Sequence, residues 1–260
     1  MPGFGRFETV EQLASRGPVT VYLARPSGSE GEPTHVVKAY GGGMMMGGFD
    51  SSWDEHAASF LESAAFQKKL AEEGCARWAA VVAADRNEDA AYYVRKLYPL
   101  TAQTLVEKPI PRDAASVAGI VRGVVDGLLE LEKKDAERGH GNLKASNVLI
   151  ETAGTGLGSA EVFLTDPASA VDLRSAGEGQ GKTSDLKDLG RLLFRLVVRR
   201  EPPQAGAIAM TAEWDRVSPG NKKAGAALRE LCEQLLNPTA GQPLALEAVR
   251  ERLVRLPGGG

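Results

Sequence analysis

The sequence has 260 residues, of which 43% are hydrophobic and 25% charged, and its formal net charge is -3. A chain of this length and composition can bury a full core as one large domain or two joined lobes, which excludes a disordered protein. The slight negative charge excludes a sequence-wide attraction to nucleic acid or to anionic membranes, so we expect neither as a partner.

The cysteines and the apolar segments bear on the compartment. Cys75 and Cys232 are the only cysteines, and they lack the spacing of a zinc site or of a disulfide framework. The first residues lack the apolar core of a signal peptide, and no later stretch is long and apolar enough to span a bilayer. We therefore expect a soluble, cytoplasmic protein. The abundance of Ala, Gly, Val and Arg is common in proteins of GC-rich bacterial genomes.

The first part of the chain predicts an antiparallel sheet followed by one helix. Runs rich in β-branched and aromatic residues predict strands over 7–13, 19–24 and 35–40, separated by segments rich in Gly, Ser and Pro. The segment 41–48 contains three consecutive methionines among glycines, so we expect a flexible loop or, alternatively, an exposed methionine surface for a partner. Apolar residues at three-to-four spacing then predict a helix over 53–73.

Two more strands and a helical region complete the pattern. Residues 78–84 and 90–97 flank a polar turn that suits a hairpin. Beyond them, one long amphipathic helix is predicted over 112–138. The remaining predicted elements are short strands at 148–150 and 162–164 and helices over 184–199, 222–236 and 244–256. We therefore predict an α+β fold with a small β-rich lobe, residues 1–98, and a larger helical lobe, residues 99–260.

One segment of the predicted helical lobe resembles the catalytic loop of protein kinases. Residues 140–147 read HGNLKASN and lie between a long predicted helix and a short predicted strand. Lys38 resembles the lysine of the family's third strand, Asp166 the aspartate of the Asp-Phe-Gly motif, and Asp185 the aspartate that braces the catalytic loop. These matches follow the family's order, and the resemblance spans about residues 7–256. It implies a two-lobed protein-kinase-like fold.

The resemblance also implies a nucleotide site with a metal ion. Lys38 would bind the phosphates, and Glu62 would orient Lys38 through an ion pair. Asn147 and Asp166 would supply an amide oxygen and a carboxylate to Mg²⁺. The implied nucleotide-binding set also contains two apolar residues, Val21 and Leu97.

Each of these residues also has a structural interpretation. Taken alone, Lys38 suits a surface position at the end of an edge strand. Asn147 and Asp166 suit a turn in which their side chains cap backbone amides. His140 and Asp185 are expected to be structural residues that pack beneath the loop and brace its backbone.

The sequence departs from the kinase pattern at the residues that carry phosphotransfer. Asn142 stands where the family has the catalytic aspartate, and an amide cannot accept the proton of a substrate hydroxyl. Losing general-base help typically costs about 10²–10⁴ in rate, although Lys144 is retained and would still neutralise a transferring phosphoryl group. The phosphate-covering loop has Ala14, Arg16 and Val19 in place of glycines, which obstructs the approach of backbone amides to phosphate. Alternatively, Arg16 itself reaches a phosphate.

Further departures concern switching and substrate binding. An aspartate-proline-alanine sequence at 166–168 replaces Asp-Phe-Gly, and the proline is expected to restrict the backbone of Asp166 to extended conformations. Gly141 replaces the arginine that reads a phosphorylated activation loop in many relatives. Only 18 residues separate Asp166 from Asp185, without an Ala-Pro-Glu motif, and Gln242 stands where its arginine partner is expected. We expect no platform for a peptide substrate.

The leading hypothesis from these residues is a pseudokinase that binds ATP and Mg²⁺ weakly or not at all and regulates or docks another protein. A second hypothesis is an active ATP-dependent transferase, either a weakened Ser/Thr kinase or an enzyme that moves a different group. It is favoured by the retained set of Lys38, Glu62, Lys144, Asn147 and Asp166. A third hypothesis is a purely structural interaction module without nucleotide binding.

Overall fold

The computed structural model describes residues 2–41, 51–152, 154, 156–176, 180–203, 208–209, 211–219, 222–238 and 244–256. Residues 42–48 of the predicted methionine loop and Gln242 lie outside the described residues. The fold is α+β, as predicted. It divides into two compact units; the first comprises Met1–Gly74, Trp78–Leu97 and Asp166–Ser175, and the second Cys75–Arg77, Tyr98–Thr165 and Ala176–Gly260.

The elements follow the chain in a simple order. The strands are β1 Gly3–Phe4, β2 Phe7–Arg16, β3 Val19–Pro26, β4 His35–Gly41, β5 Val81–Arg86, β6 Ala90–Lys96, β7 Leu100–Thr101, β8 Val148–Glu151 and β9 Glu161–Leu164. The helices are α1 Ser51–Glu72, α2 Ala102–Glu107, α3 Ala114–Lys134, α4 Ala170–Ala176, α5 Gln180–Val198, α6 Ala212–Arg216, α7 Lys222–Leu236 and α8 Leu246–Val254. No helix in these described ranges is long and apolar enough to cross a membrane.

The first unit is built on an antiparallel sheet in the order β1-β2-β3-β4-β6-β5. Val21 on β3 pairs with Lys38 on β4, and Lys38 pairs with Tyr93 on β6. Cross-strand partners share a face of the sheet, so these side chains form one row. The turn between β5 and β6 is stabilised by Asn87, whose side-chain oxygen accepts hydrogen bonds from the backbone N–H groups of Asp89 and Ala90.

The two faces of this sheet bury different cores. One face contributes a cluster of apolar and aromatic side chains that includes Phe4, Phe7, Val37, Tyr92 and Val94. The opposite face packs against α1 through Phe60, Ala64 and Tyr93. Since side chains alternate along a strand, Val37 and Lys38 point to opposite faces, and Lys38 shares the α1 face with Tyr93.

The second unit is organised around helix α3. Asp113 caps its N-terminus. Two glycines on α3 allow β9 to lie directly against the helix. A Cβ atom at Gly123 would lie 2.6 Å from Cβ of Val162, and one at Gly127 would lie 2.8 Å from Cδ1 of Leu164. Strands β7, β8 and β9 form a small antiparallel sheet.

Hydrophobic periodicity located the longer elements well. The helix predicted over 222–236 has those bounds, and the helix predicted over 112–138 spans 114–134, between Asp113 and Asp135. The strand predicted from residue 78 begins at Val81, and residues 78 and 79, which are buried, precede it. The sequence analysis missed the short elements β1, β7, α2, α4 and α6, which are too short for a periodic signal.

Candidate functional site

An ion pair joins two residues that lie 128 positions apart in the chain and both belong to the first unit. The Nζ atom of Lys38 lies 2.6 Å from Oδ1 of Asp166, and the two side chains are only 20% and 13% exposed. The hydroxyl of Tyr93 donates a hydrogen bond to the same Oδ1 atom at 2.7 Å. Because Lys38 and Tyr93 are cross-strand partners, the sheet register directs both donors to one point.

The charge and the donors around Asp166 favour its ionised form. Burial by itself would raise the pKa of this carboxyl group, because desolvation disfavours the charged form. The ammonium of Lys38, the hydrogen bonds from Lys38 and Tyr93, and the charge of Arg95 outweigh burial and place the pKa of Asp166 below its ordinary value. The cluster therefore holds a mostly buried carboxylate beside a mostly buried ammonium.

The backbone of Asp166 corrects one expectation from the sequence. Its φ is 60°, in the left-handed region, so the expectation that Pro167 keeps this residue extended was wrong. The backbone N–H of Asp166 donates to Oε1 of the buried Gln67 at 2.8 Å, while its carboxylate is held by the two donors described above. Contacts at both ends of the residue hold a conformation that costs an L-residue about 1–2 kcal/mol.

The predicted ion pair between Lys38 and Glu62 is not formed, which corrects a second expectation. Oε1 of Glu62 instead accepts a hydrogen bond from the backbone N–H of Ala170, the first residue of α4, at 3.0 Å. Two carboxylates were available to one ammonium, and the structure pairs Lys38 with Asp166. Glu62 is thereby part of the attachment between α1 and the segment 166–172.

That attachment uses a polar stripe on α1 formed by Ser59, Glu62 and Ser63. The hydroxyl of Ser59 donates to Oγ of Ser169 at 2.7 Å, and Ser169 donates to Oδ2 of Asp172 at 2.8 Å. The hydroxyl of Ser63 donates to the carbonyl oxygen of Pro167. Polar residues at this helical spacing share one face, so the α1 stripe binds the segment 166–172 along its length.

The loop at 140–147 in the second unit is braced by a buried carboxylate. Oδ2 of Asp185 accepts a hydrogen bond from the backbone N–H of His140 at 2.6 Å, and Oδ1 accepts one from Gly141 at 2.8 Å. Gly141 has a φ of 67°, which glycine adopts without strain. Burial raises the pKa of Asp185 to about 7, although the two backbone N–H groups oppose that rise. The contact expected from the kinase resemblance is therefore present in the structure.

His140 is fully buried beneath this loop. Its Nε2 atom lies 3.1 Å from the carbonyl oxygen of Thr165, to which it donates, and its Nδ1 accepts a hydrogen bond from the backbone N–H of Asn142 at 3.2 Å. These partners match a neutral imidazole with its proton on Nε2. The contacts are those of a structural residue that sets the path of the loop.

Asn142, Lys144 and Asn147 are the other residues of the loop that the sequence analysis singled out. Nδ2 of the buried Asn147 donates to the carbonyl oxygen of Asn142 at 2.9 Å, and this contact orients the Asn147 amide. The backbone N–H of Asn147 donates to the carbonyl oxygen of Lys144 at 2.8 Å, which closes the 3-10 turn Ala145–Asn147. Lys144 is exposed, and Asn142 is partly buried.

The two predicted apolar residues of the nucleotide site lie in the first unit. Val21 stands in the row of side chains that contains Lys38 and Tyr93. Leu97 directly follows β6, and its backbone N–H donates to the carbonyl oxygen of Thr34 at 2.9 Å. Both residues are partly buried.

The donor chemistry of these residues fits Mg²⁺ only in part. Asn147 offers a hard amide oxygen of the kind that Mg²⁺ binds. The Oδ1 atom of Asp166 faces an ammonium and a hydroxyl proton, which oppose a cation at that atom. Over the described ranges, no cluster of three or more His, Cys, Asp and Glu side chains is arranged to hold a metal ion.

The sequence analysis missed Tyr93, Gln67 and the serines of α1 as contributors to this site. The role of Tyr93 could not be predicted from the sequence, because it depends on the register between β4 and β6. Gln67 carried one usable signal, since it is a polar residue at an inward position of a predicted amphipathic helix, where polar groups need a partner.

No family model matches the chain, and no match was found among curated proteins.

Proposed function

We propose that this chain is a protein-kinase-like module that has lost phosphotransfer and regulates or docks another protein, with nucleotide as a weak ligand. The observation that carries this proposal is Asn142, an amide at the place of the catalytic base, in a loop whose backbone is still held by Asp185. An amide cannot take up the substrate proton, so the loop retains its support without its acid–base chemistry.

Weak nucleotide binding is supported by the first unit. Lys38 is paired with Asp166, so an incoming phosphate must compete with a carboxylate for the ammonium. Arg16 and Val19 face each other across the β2–β3 hairpin, where glycines would let backbone amides approach a phosphate. Both features lower the expected affinity for ATP.

We also propose that the protein works in a reducing, cytoplasmic compartment. Cys75 and Cys232 are buried and form no disulfide, which suits that compartment.

Phosphate transfer and nucleotide binding test the proposal separately. Wild type should transfer no labelled phosphate from ATP to itself or to a generic protein substrate, and nucleotide should still raise its melting temperature. A ligand at 100 times its dissociation constant stabilises by about 2.7 kcal/mol, which is a measurable shift. Phosphate transfer by wild type that is abolished by Asp166→Ala would contradict the proposal.

Restoring the carboxylate tests the role of position 142 directly. Asn142→Asp should raise the rate of ATP turnover, since a general base is worth about 10²–10⁴ in rate. Asn237→Asp introduces the same change at an exposed position and should leave the rate unchanged. An equal rate in the two variants would show that the amide at 142 is not what limits turnover.

A second candidate function is an ATP-dependent transferase that moves a group other than phosphate. It is favoured by the retention of Lys38, Glu62, Lys144, Asn147 and Asp166, because a chain freed from nucleotide binding has little reason to keep all five. Mass spectrometry of the products formed with ATP separates phosphate transfer from nucleotide transfer. Absence of ATP consumption ends this candidate, and absence of any nucleotide-induced melting shift favours a purely structural interaction module.

A further inference from the structure

We propose that nucleotide binding in the first unit does not require Mg²⁺, and that Tyr93 is the positioning residue responsible. This inference rests on the proposed weak nucleotide binding. It concerns the Asp166 carboxylate, which the kinase resemblance assigns to the metal. Asp166, Lys38 and Tyr93 all belong to the first unit.

Oδ1 of Asp166 already accepts two hydrogen bonds. A metal ligand must direct a lone pair at the cation, and this oxygen directs its lone pairs at Nζ of Lys38, 2.6 Å away, and at the hydroxyl of Tyr93, 2.7 Å away. Both donors come from adjacent strands of one sheet, so the strand register brings them together at this oxygen. Mg²⁺ demands near-ideal octahedral geometry and gives up its water reluctantly, so it competes poorly for this oxygen.

The Asp166 carboxylate already has a positive charge beside it. The ammonium of Lys38 lies 2.6 Å from Oδ1, so a divalent cation at that oxygen would be repelled by a like charge in a partly buried site. Lys38 therefore already neutralises Asp166, and a nucleotide phosphate is the ligand whose charge complements Lys38.

The hydroxyl of Tyr93 can be removed while its ring is kept. The ring of Tyr93 lies 5.6 Å from the ring of Phe60 on α1, and phenylalanine at position 93 would keep that ring contact. The hydrogen bond from the Tyr93 hydroxyl to Asp166 would be lost. Tyr93→Phe is thus a variant that changes the donors around Oδ1 without opening a cavity.

Replacing Asp166 by asparagine distinguishes nucleotide binding with a metal from nucleotide binding without one. Without a metal, the Asp166 carboxylate repels a phosphate and competes with it for Lys38, so Asp166→Asn should tighten nucleotide binding. With a metal bridging Asp166 and the phosphates, the same substitution removes a metal ligand and weakens binding. The two arrangements therefore predict opposite changes in affinity for one substitution.

The experiment is calorimetric titration with ADP, in excess Mg²⁺ and in excess EDTA, of wild type, Asp166→Asn and Tyr93→Phe. The dissociation constant of wild type should agree within about twofold between the two conditions, and Asp166→Asn should bind ADP at least about tenfold more tightly in EDTA. Tyr93→Phe should bind ADP more tightly with Mg²⁺ than with EDTA, because it leaves one donor fewer on Oδ1. The control Tyr22→Phe, whose side chain packs on the opposite face of the sheet, should behave as wild type.

The outcomes distinguish this inference from the function on which it rests. Wild-type binding that weakens tenfold or more in EDTA, or weaker binding by Asp166→Asn, overturns the metal-independence and leaves nucleotide binding standing. No binding of ADP by wild type or by either variant in either condition overturns both. Should Asp166→Asn fail to fold, the comparison of Tyr93→Phe with Tyr22→Phe still decides, since equal metal dependence in those variants removes the role assigned to Tyr93.

Discussion

Around Asp166 in the first unit, a carboxylate is buried by pairing it with an ammonium and a phenol, whereas beneath the loop at 140–147 a carboxylate is buried against backbone N–H groups. The first arrangement depends on neutralising charge, and removing one partner leaves a charge stranded. The second depends on the path of the backbone, and its donors cannot be mutated away. The pKa values of Asp166 and Asp185 accordingly shift in opposite directions.

Replacing Lys38 by methionine should cause the largest loss of stability, because it leaves the Asp166 carboxylate without its ammonium partner. Breaking a buried pair on one side costs about 3–5 kcal/mol in the free energy of unfolding. Denaturant unfolding measures the loss. Lys69→Met is the matched control, since Lys69 lies on the exposed side of α1 and its 3.8 Å pair with Glu73 contributes little.

The double variant Lys38→Met with Asp166→Asn sharpens that result. Removing both charges should recover part of the stability, because the two side chains are in contact and their effects are not additive. A double variant whose loss equals the sum of the single losses would show that the pair is not coupled.

Stability should depend on pH with opposite signs at the two carboxylates. The pKa of Asp185 is raised to about 7, so its contribution is fully present below the ordinary value and is lost as pH rises through about 7. The change is on the order of 4 kcal/mol. The pKa of Asp166 is lowered, so its contribution is present above the ordinary value of about 3.9 and is lost as pH falls through the folded-state pKa.

Unfolding free energies between about pH 3 and pH 8, for wild type, Asp185→Asn and Asp166→Asn, check both signs. The difference between wild type and Asp185→Asn should shrink as pH rises from about 4 to 7, and the difference for Asp166→Asn should shrink as pH falls below about 4. The two difference profiles sloping the same way would remove the contrast between the two sites.

Substituting one glycine of α3 should have a moderate effect on the frame of the second unit. Gly123→Ala places a methyl group 2.6 Å from Cβ of Val162, and overpacking of this kind costs about 1–3 kcal/mol. Gly119→Ala on the same helix meets no atom within 4 Å and should stabilise by up to about 1 kcal/mol. Thermal melting of both variants checks the opposite signs, and a Gly123→Ala variant as stable as wild type would show that β9 adjusts its position.

The smallest effect should follow from weakening the stripe on α1. Ser59→Ala removes the 2.7 Å hydrogen bond to Ser169 and should cost about 1 kcal/mol. Hydrogen exchange of the amides at 169–172 should speed up, whereas Ser15→Ala, at an exposed position of β2, should leave it unchanged. Unaltered exchange in Ser59→Ala would mean that other contacts hold this segment.

The candidate site could be predicted from the sequence as a set of residues, and less well as a set of contacts. Lys38, Asp166 and Asp185 were found by motif, and Asp185 makes the contacts expected of it because the loop that it braces is local to one unit. The partner predicted for Lys38, Glu62, was wrong, because Lys38 pairs with Asp166. The choice between Glu62 and Asp166 depends on how α1 is turned about its axis and where the segment 166–172 lies, and no spacing in the sequence encodes either.

The sequence by itself determined the α+β class, the order of the longer elements and the identity of the amide at position 142, because periodicity and side-chain chemistry are local properties. The tertiary structure alone decided that Lys38 and Tyr93 meet at Asp166 and that Asp166 adopts a positive φ before a proline. These outcomes depend on strand register and on contacts between residues far apart in the chain, where several local preferences compete and the packed arrangement with the lowest total free energy prevails.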